Sequence, residues 1–365
     1  MWGMNPTETA TSGRIVKVGI IGCGLVTQVV HVPCMNSLSH LFQVIYLYDV
    51  SEDAMKHSLE KLAGNAKPKT TRNVEELCNA PEVDLVLVAS NHAFHASQAL
   101  LALQANKHVF IEKPIALTLQ DTDRIIAADK AAGGGKTMEV GSIEQVRYAR
   151  VRDIIGPNSV FVGQSGTFPR TFNDYRDEDS EALRKKTAED IEQALQTELG
   201  VAVTQETDMM WHTLSMLGSH DLSAMREILG MPKGVVGFSP CATTGSPFWS
   251  AIFQYPNFAV AYESGVDQVA RFDASIEVFG DTKTVKVCID TPFVRGLPTT
   301  MVVKETLPDG SYRESTIRRT YEDAFLLEQQ EMYKWVTEGK VPKTTPADAR
   351  LDLQILGMLM KAIAA

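Results

Sequence analysis

The sequence predicts a two-domain protein: an α/β N-terminal domain with a doubly wound parallel sheet, and an α+β C-terminal domain with a large, mainly antiparallel open sheet. Two patterns predict this fold. Strands alternate with helices in the first third of the chain, and turn-bounded strands recur in the rest. The 365 residues, of which 44% are hydrophobic and 22% charged, are typical of a globular chain long enough for two cores.

Short apolar segments alternate with amphipathic ones in the first third of the chain. Segment 83–89 is apolar at nearly every position, as expected for a strand covered on both faces. The predicted strands cover residues 15–21, 44–48, 83–89 and 108–111, and the predicted helices begin at residue 25 and cover 52–62, 74–78, 95–104 and 119–132. This order is typical of a parallel sheet with helices on both faces.

The pattern changes at the glycine triplet 133–135, where we place the joint between the domains. A tail at 1–14 precedes the first domain at 15–135, and the second domain covers 136–365. The second domain's predicted strands cover residues 136–141, 159–168, 234–238, 248–255, 259–264, 274–279, 284–289, 300–305 and 313–318. Its predicted helices cover residues 145–155, 181–199, 215–229, 325–338 and 347–364. We expect the last of these helices to pack back on the first domain.

Charge and cysteine content exclude several classes of function. A net charge of −10, from 35 basic and 45 acidic residues, argues against a nucleic-acid partner. The five cysteines are scattered without a C-x-x-C pair, so we predict reduced thiols and no metal site. The N-terminal segment lacks the apolar core of a signal peptide, and no apolar run approaches the roughly 20 residues of a membrane span. We therefore expect a cytoplasmic protein with no membrane partner.

A glycine turn between the first strand and the first helix is the first chemical motif. Gly22 permits the tight turn, and Gly24 lets a pyrophosphate approach the backbone. The free N–H groups of Leu25 and Val26, at the start of the helix, would face that anion. Asp49 ends the second strand, where a carboxylate accepts hydrogen bonds from the adenine ribose and repels a 2′-phosphate. The motif predicts a Rossmann domain that binds NAD, with NADP left open.

Two further motifs follow strand ends. Glu112-Lys113-Pro114 follows the fourth predicted strand, and Ser90-Asn91-His92-x-x-His95 follows the third. With the glycine turn, these motifs resemble those of the Gfo/Idh/MocA oxidoreductases, the family of glucose–fructose oxidoreductase and inositol dehydrogenase. The family's usual loop after the third strand reads Thr-Pro-Asn-x-x-His, so this chain departs from it at the first three positions. The resemblance covers nearly the whole chain and is strongest over residues 15–140.

The resemblance implies roles for these residues and a mode of assembly. It implies that the Lys-Pro peptide borders the nicotinamide and that Lys113 faces the substrate. The residues expected to line the cofactor site are Ser90, His92, His95, Glu112 and Lys113. The family uses its second sheet as substrate wall and oligomer interface, so we expect a homodimer or homotetramer formed through that sheet.

Lys113 can also be interpreted without the resemblance. It follows a sheet strand at the end where ligands of open α/β sheets bind. Partial burial beside a cationic nicotinamide would lower its pKa, and the group could then orient a hydroxyl or help to accept its proton. The alternative is an ordinary lysine in solvent, which the flanking Glu112 and Pro114 make less favoured.

The predicted helix 215–229 carries a departure from the family pattern. The family motif Asp-x-Gly-x-His reads Met216-x-Gly218-x-His220 here, so the aspartate is missing. His220 is the candidate general base for a substrate hydroxyl. His212 shares a helical face with Met216 and His220 if the helix starts early, and it could supply the missing polar contact. Asp221 points about 100° away and is a less favoured substitute.

The stretch 173–203 reads as an insertion. Its helix 181–199 has an apolar stripe and charged faces, which fits either a solvated helix or a lid or subunit contact near the substrate site. Asn173 and Tyr175, just before it, are candidate contacts to a sugar.

The leading functional prediction is an NAD-dependent dehydrogenase that oxidises a secondary hydroxyl of a sugar, polyol or cyclitol, with Lys113 and His220 as catalytic residues. The loss of the aspartate leaves two enzyme alternatives open, a reductase of an imine, dihydrodiol or enone and a glycosidase that uses NAD transiently. A third alternative is a non-catalytic regulator that binds a dinucleotide as a signal, against which the presence of Lys113 and His220 argues.

Overall fold

A computed structural model describes residues 13–64, 67–131, 146–243, 246–297 and 299–363 of the chain. The predicted strand 136–141, the glycine triplet of the joint and most of the predicted N-terminal tail lie outside the described residues. Within them, the two sheets of the predicted fold are both present.

The first domain contains a five-stranded parallel sheet with the order β3-β2-β1-β4-β5. The strands are β1 (Val16–Ile21), β2 (Phe42–Tyr48), β3 (Lys69–Thr71), β4 (Leu85–Val88) and β5 (His108–Ile111). The four residues of β4 are all buried, as expected for a strand covered on both faces. The short edge strand β3 was not predicted, because its polar sequence Lys-Thr-Thr carries no apolar signal.

Helices cover both faces of this sheet. They are α1 (Val32–Ser37), which continues a π-helical segment at Thr27–His31, α2 (Glu52–Lys61), α3 (Val74–Asn79), α4 (His92–Gln104) and α5 (Leu119–Ala131). The strand order reverses between β1 and β4, which opens a crevice at the carboxyl ends of the strands. The first residues of α2 and α4 therefore lie at the carboxyl edge of the sheet, where ligands of such sheets bind.

The second domain contains an eight-stranded sheet with the order β13-β12-β11-β10-β6-β9-β8-β7. The strands are β6 (Tyr148–Ile155), β7 (Gly234–Thr243), β8 (Ser246–Gln254), β9 (Ala259–Val266), β10 (Phe272–Phe279), β11 (Lys283–Ile289), β12 (Thr300–Thr306) and β13 (Tyr312–Ile317). The β6–β9 pair is parallel and the other pairs are antiparallel. This confirms the predicted mainly antiparallel sheet.

Two predictions for the start of this domain were wrong. The predicted helix 145–155 is strand β6, in which Ala149 and Val151 are buried while Arg150 is exposed. An apolar residue at every second position also places some at helical spacing, so the pattern was ambiguous over this short segment. The predicted strand 159–168 instead begins with α6 (Asn158–Gly163), which starts after Pro157, a residue suited to a helix start.

Two helical columns follow, where a column is a run of consecutive helical segments without a break, and each contains a π-helical segment. The first is α7 (Asp177–Ile191) with its continuation Glu192–Leu199, and the second is α8 (Gln205–Thr213), Leu214–Gly218 and α9 (Ser219–Leu229). The second column therefore starts ten residues before the predicted 215–229 helix. Its π-helical turn lies at the family motif, and such turns are frequent at functional sites.

The closing helices join the two domains. They are α10 (Ala324–Glu338) and α11 (Pro346–Ile363). Met332 of α10 packs in the core beneath the first sheet. The helix α11 contacts α5 of the first domain, where Arg350 Nε donates to Asp123 Oδ1 at 2.6 Å. No helix among the described residues has the length and apolar character that a membrane span requires.

Candidate active site

The glycine turn after β1 is shaped by two different constraints. Gly22 has a φ of +98°, and a Cβ there would lie 2.5 Å from the carbonyl oxygen of Ala89, so the turn requires glycine. A Cβ on Gly24 would meet nothing within 4 Å. The space above Gly24 is therefore open, as the approach of a pyrophosphate requires.

The helix that follows the turn presents its first N–H groups to this space. The first helical backbone bond runs from Gln28 N to Gly24 O at 3.1 Å, which leaves the N–H groups of Leu25 and Val26 without helical partners. Thr27 takes the last glycine position of the dinucleotide fingerprint. Its buried hydroxyl donates to Gly22 O at 2.6 Å, which ties the helix to the turn.

Asp49 lies beside the turn, at the end of β2. Its Oδ2 accepts the N–H of Cys23 at 2.7 Å, and its Oδ1 accepts the N–H of Ser51 at 2.8 Å. Burial raises the pKa of Asp49, while these backbone hydrogen bonds act in the opposite direction. The carboxylate is thus fixed between the glycine turn and the start of α2, where the adenine ribose is expected.

His95, which has no exposed surface, holds the loop after β4 in place. One ring nitrogen of His95 lies 2.8 Å from the carbonyl oxygen of Pro114, and the other lies 3.1 Å from the carbonyl oxygen of Ser90. The side chain therefore joins the loop after β4 to the Glu-Lys-Pro motif after β5. His92, one turn earlier on α4, is only partly buried and lies nearer the cleft.

Lys113 connects the two domains. Its Nζ donates to the carbonyl oxygen of Met216 at 2.7 Å, within the π-helical turn of the second domain. Burial lowers the pKa of Lys113, and the negative charges of Glu112 and Asp221 partly offset that effect. The ammonium group therefore lies at the motif where the family's aspartate is missing.

The histidines of the second domain face the same cleft. The side chain of His220 keeps some solvent-exposed surface. Protein atoms around the imidazole desolvate it, and this effect, together with the charge of Lys113, lowers its pKa. His212 lies 3.3 Å from Asp208 Oδ1, and its charge also lowers the pKa of His92, whose burial is the larger cause. Lys113, His92, His212 and His220 thus meet at the domain interface. Met216 lies among them with 51% of its surface exposed.

His31 is a part of the site that the sequence analysis missed. Its Nε2 lies 2.7 Å from Glu112 Oε1, and the ring is almost fully buried. Burial alone would raise the pKa of Glu112, but the hydrogen bond and charge of His31 outweigh it and lower the pKa to about 2. The only sequence signal was a histidine in the last turn of the π-helical segment, which could not indicate a partner 81 residues away.

Asn173 and Tyr175 lie at the other end of the cleft from Lys113. The residue between them, Asp174, contacts the start of α2, and burial followed by the charges of Asp49 and Asp174 raises the pKa of Tyr175. The strands β2 and β5 are three strand spacings apart, about 14 Å. The structure therefore places Tyr175 near the predicted adenosine end of the cleft.

The helix α7 and its continuation, which the sequence predicts to be an insertion, lie against the carboxyl edge of the first sheet. Asp179, in its first turn, accepts a 2.5 Å hydrogen bond from Arg72, which follows β3. At the far end, Glu198 accepts the N–H groups of Leu119 and Gln120 at 2.8 and 2.9 Å, at the start of α5. The insertion thus contacts the first domain at both ends.

Comparison with known proteins identifies relatives for the chain. Residues 16–141 match the GFO_IDH_MocA model, described as an oxidoreductase family with an NAD-binding Rossmann fold. An inositol 2-dehydrogenase of Salmonella typhimurium is 29% identical over 147 residues, which are 40% of this chain and 43% of that protein. The chain thus spans less than half the length of that relative.

Two further relatives cover nearly the whole chain. A myo-inositol 2-dehydrogenase of Thermotoga maritima is 25% identical over 367 residues, which are 95% of each protein. The structure of a Synechocystis biliverdin reductase in complex with biliverdin and NADP+ has a TM-score of 0.63 and 18% identity, covering 95% of this chain and 98% of that one. This second similarity concerns the fold. The motifs, the two sheets and these matches together agree with the resemblance to the Gfo/Idh/MocA oxidoreductases that the sequence predicted, and residues 16–141 match the model of that family.

Proposed function

We propose that this chain is an NAD-dependent dehydrogenase that oxidises a secondary hydroxyl of a sugar, polyol or cyclitol. The observation that carries the proposal is the hydrogen bond from Lys113 Nζ to Met216 O, which places the ammonium group beside the helix of His220. The family supports chemistry with a nicotinamide dinucleotide, and the relatives named inositol 2-dehydrogenases support a hydroxyl substrate.

The residues of the carboxyl edge fit such a dinucleotide. Gly24 leaves room for the pyrophosphate, and the N–H groups of Leu25 and Val26 would bind it. Asp49 would accept hydrogen bonds from the adenine ribose, which favours NAD over NADP. The bound nicotinamide supplies the hydride acceptor for the oxidation.

His220 and Lys113 divide the work on the hydroxyl group. Because the pKa of His220 is lowered, the imidazole is neutral at neutral pH, and a ring nitrogen can accept the hydroxyl proton. The ammonium of Lys113 donates a hydrogen bond to the same oxygen and stabilises the negative charge that develops as the proton leaves. His31 holds Glu112 ionised beside Lys113, so the lysine keeps a compensating charge.

Met216 favours a second candidate, a reductase of an imine or dihydrodiol. Its exposed thioether stands where the family has an aspartate, so this position offers no carboxylate to bind a second substrate hydroxyl. A less polar substrate would fit such a wall better than a sugar. His212, already paired with Asp208, is the polar side chain available to take over the missing contact.

The test is turnover with a substrate panel. The purified chain is incubated with NAD and with NADP against cyclitols, polyols, sugars, dihydrodiols and glycosides, and with NADH and NADPH against imines. The absorbance of the reduced nicotinamide and the cleavage of the glycosides are followed. We expect turnover on at least one hydroxyl substrate, and a loss of about 10²- to 10⁴-fold in kcat for His220→Asn. The control His40→Asn removes an exposed histidine of the first domain and should keep full activity.

Each other outcome has a distinct meaning. Turnover on imines or dihydrodiols alone favours the second candidate. Tight dinucleotide binding with no turnover on any hydroxyl, imine or glycoside indicates a regulator, and cleavage of a glycoside indicates a glycosidase. Full activity of His220→Asn would refute the assignment of the general base.

A further inference from the structure

A segment of the second domain lies along the helices of the first. We call residues 165–176 the strap. The Nζ of Lys61 donates to the carbonyl oxygen of Thr167, near one end of the strap. Further along, the buried carboxamide of Gln28 donates to Arg170 O at 3.2 Å and accepts Arg170 N at 2.9 Å. The strap thus contacts the end of α2 at Lys61 and the first helix at Gln28.

The strap reaches the start of α2 at Asp174. The hydroxyl of Ser51 donates to Asp174 Oδ1, and the N–H of Asp53 donates to Asp174 Oδ2 at 3.2 Å. The hydroxyl of Ser51 also accepts the N–H of Ala54 at 2.9 Å. A helix N-terminus attracts anions because its first N–H groups lack backbone partners. Here oxygen atoms of the chain already bind two of these groups.

Asp174 and Asp49 bind the same serine. Ser51 donates its N–H to Asp49 Oδ1 at 2.8 Å and its hydroxyl to Asp174 Oδ1. Two carboxylates from two different domains therefore flank the end of β2. Because the adenine ribose of a dinucleotide is expected at this strand end, a 2′-phosphate on that ribose would face both of them.

The guanidinium of Arg72, which could offset the charge of these two carboxylates, already binds other groups of the chain. Arg72 follows β3, the neighbour of β2, and a guanidinium in that place is suited to a 2′-phosphate. Its Nη2 donates to Asp179 Oδ2 at 2.5 Å, and its Nη1 donates to the carbonyl oxygen of Val50. The inserted segment thus both adds an acid at the start of α2 and neutralises the nearby arginine.

We propose that Asp174, from the second domain, is a specificity-determining residue that selects NAD over NADP by occupying the anion position at the start of α2. This inference rests on the proposed function, since it assumes that a dinucleotide binds along the carboxyl edge. It goes beyond Asp49, the acid that the fingerprint predicts, because it gives the second domain a share in choosing the cofactor.

The test compares the dissociation constants of NADH and NADPH, measured by nucleotide fluorescence without any substrate. The variants are Asp174→Asn, which keeps the size of the side chain, and Asp174→Ala. Asp177→Asn is the matched control, because it removes the same charge from an exposed acid three residues along the chain. Thermal unfolding of each variant checks that the fold is retained.

The expected result is a weaker preference for NADH over NADPH in the Asp174 variants. The wild-type chain binds NADH more tightly, and both Asp174 variants lower the ratio of the NADPH to the NADH dissociation constant about tenfold, mainly by tighter NADPH binding. Asp177→Asn leaves the ratio unchanged within about twofold. An unchanged ratio in both Asp174 variants overturns this inference alone. A wild-type preference for NADPH overturns it together with the choice of NAD in the proposed function. A wild-type chain that binds neither dinucleotide overturns the proposed function as well.

Discussion

Lys113 of the first domain and Met216 of the second are joined by a hydrogen bond of 2.7 Å from the lysine ammonium to the methionine carbonyl oxygen. The contact brings the end of β5 against the π-helical turn that precedes His220. Because the acceptor is a backbone carbonyl, the contact depends on the position of this helical turn and on the Lys113 side chain, and not on the methionine side chain.

The pH profile of kcat/KM tests the two proposed catalytic groups, His220 and Lys113. His220 must be neutral to accept a proton and its pKa is lowered, so activity should fall with acid only below 6.5, the ordinary histidine value. Lys113 must be protonated to donate a hydrogen bond and its pKa is lowered too, so activity should fall with base before 10.5. An acid limb centred at or above 6.5 would contradict the role of His220.

The alkaline limb can be assigned by substitution. Lys113→Gln should abolish it and reduce kcat by about 10²- to 10⁴-fold. Lys67→Gln, which replaces an exposed lysine of the first domain, is the control and should keep the wild-type profile. If the activity of Lys113→Gln still falls at alkaline pH as in the wild type, another titrating group causes that fall.

The two glycines of the turn should respond differently to alanine. Gly22→Ala should destabilise the fold, because its Cβ would clash with Ala89 O and its φ of +98° is strained for any other residue. Gly24→Ala should keep the melting temperature but weaken NADH binding about tenfold or more, because the methyl group occupies the open space above the turn. Equal NADH affinity for Gly24→Ala and wild type would place the pyrophosphate elsewhere.

The His31–Glu112 pair should contribute to stability. His31→Phe removes the partner of an ionised, largely enclosed carboxylate, so the free energy of unfolding at neutral pH should fall by about 1–3 kcal/mol. Adding Glu112→Gln should restore part of that loss, because an amide needs no counter-charge. Denaturant unfolding of the two single variants and the double variant measures the coupling.

The pH dependence of that stability has a defined sign. The pKa of Glu112 is lowered from 4.5 to about 2, so its contribution is present above 4.5 and is lost as the pH falls towards 2. His31→Phe should shrink this acid-dependent loss, since the pKa of Glu112 then rises. An identical acid profile in the variant would show that another group sets it.

The buried carboxyl pair of Asp153 on β6 and Asp221 on α9 predicts the opposite pH dependence of stability. Burial raises the pKa of both groups. The neighbouring Asp153 raises the pKa of Asp221 further, whereas the hydrogen bond from Asp221 lowers that of Asp153 without offsetting its burial. The folded state then holds protons more tightly than the unfolded state, so stability falls as the pH rises above 3.8, the ordinary aspartate value. Asp153→Asn should flatten this fall and raise the melting temperature at neutral pH, with Asp177→Asn as the control. A steeper fall in Asp153→Asn would contradict this interpretation.

The sequence predicted the first domain well, because each of its signals is local. Gly22, Asp49 and Lys113 stand at strand ends that can be recognised from apolar runs of a few residues. The Asp-x-Gly-x-His departure also lies in the helical column that Lys113 contacts. The structure brings Lys113 to that helix, a contact over 103 residues that only the family resemblance suggested.

The features that were missed depend on distant partners or on weak patterns. His31 gains its role from Glu112, and Asp174 gains its role from Ser51, 123 residues away. Strand β6 was missed because its alternation extends over only eight residues and also places apolar residues at helical spacing. The contacts of the strap with α2 depend on how the two domains pack together, and a local sequence pattern holds no information about that packing.

The position of α10 in the chain has a consequence for synthesis. Met332 completes the core beneath a sheet whose first strand begins at Val16, and Tyr333 donates to Arg14 O across 319 residues. Part of that face of the first sheet therefore stays uncovered until the ribosome has made the chain as far as α10. The first domain emerges first but is among the last parts to be finished, and a nascent chain that stops before α10 would expose apolar surface.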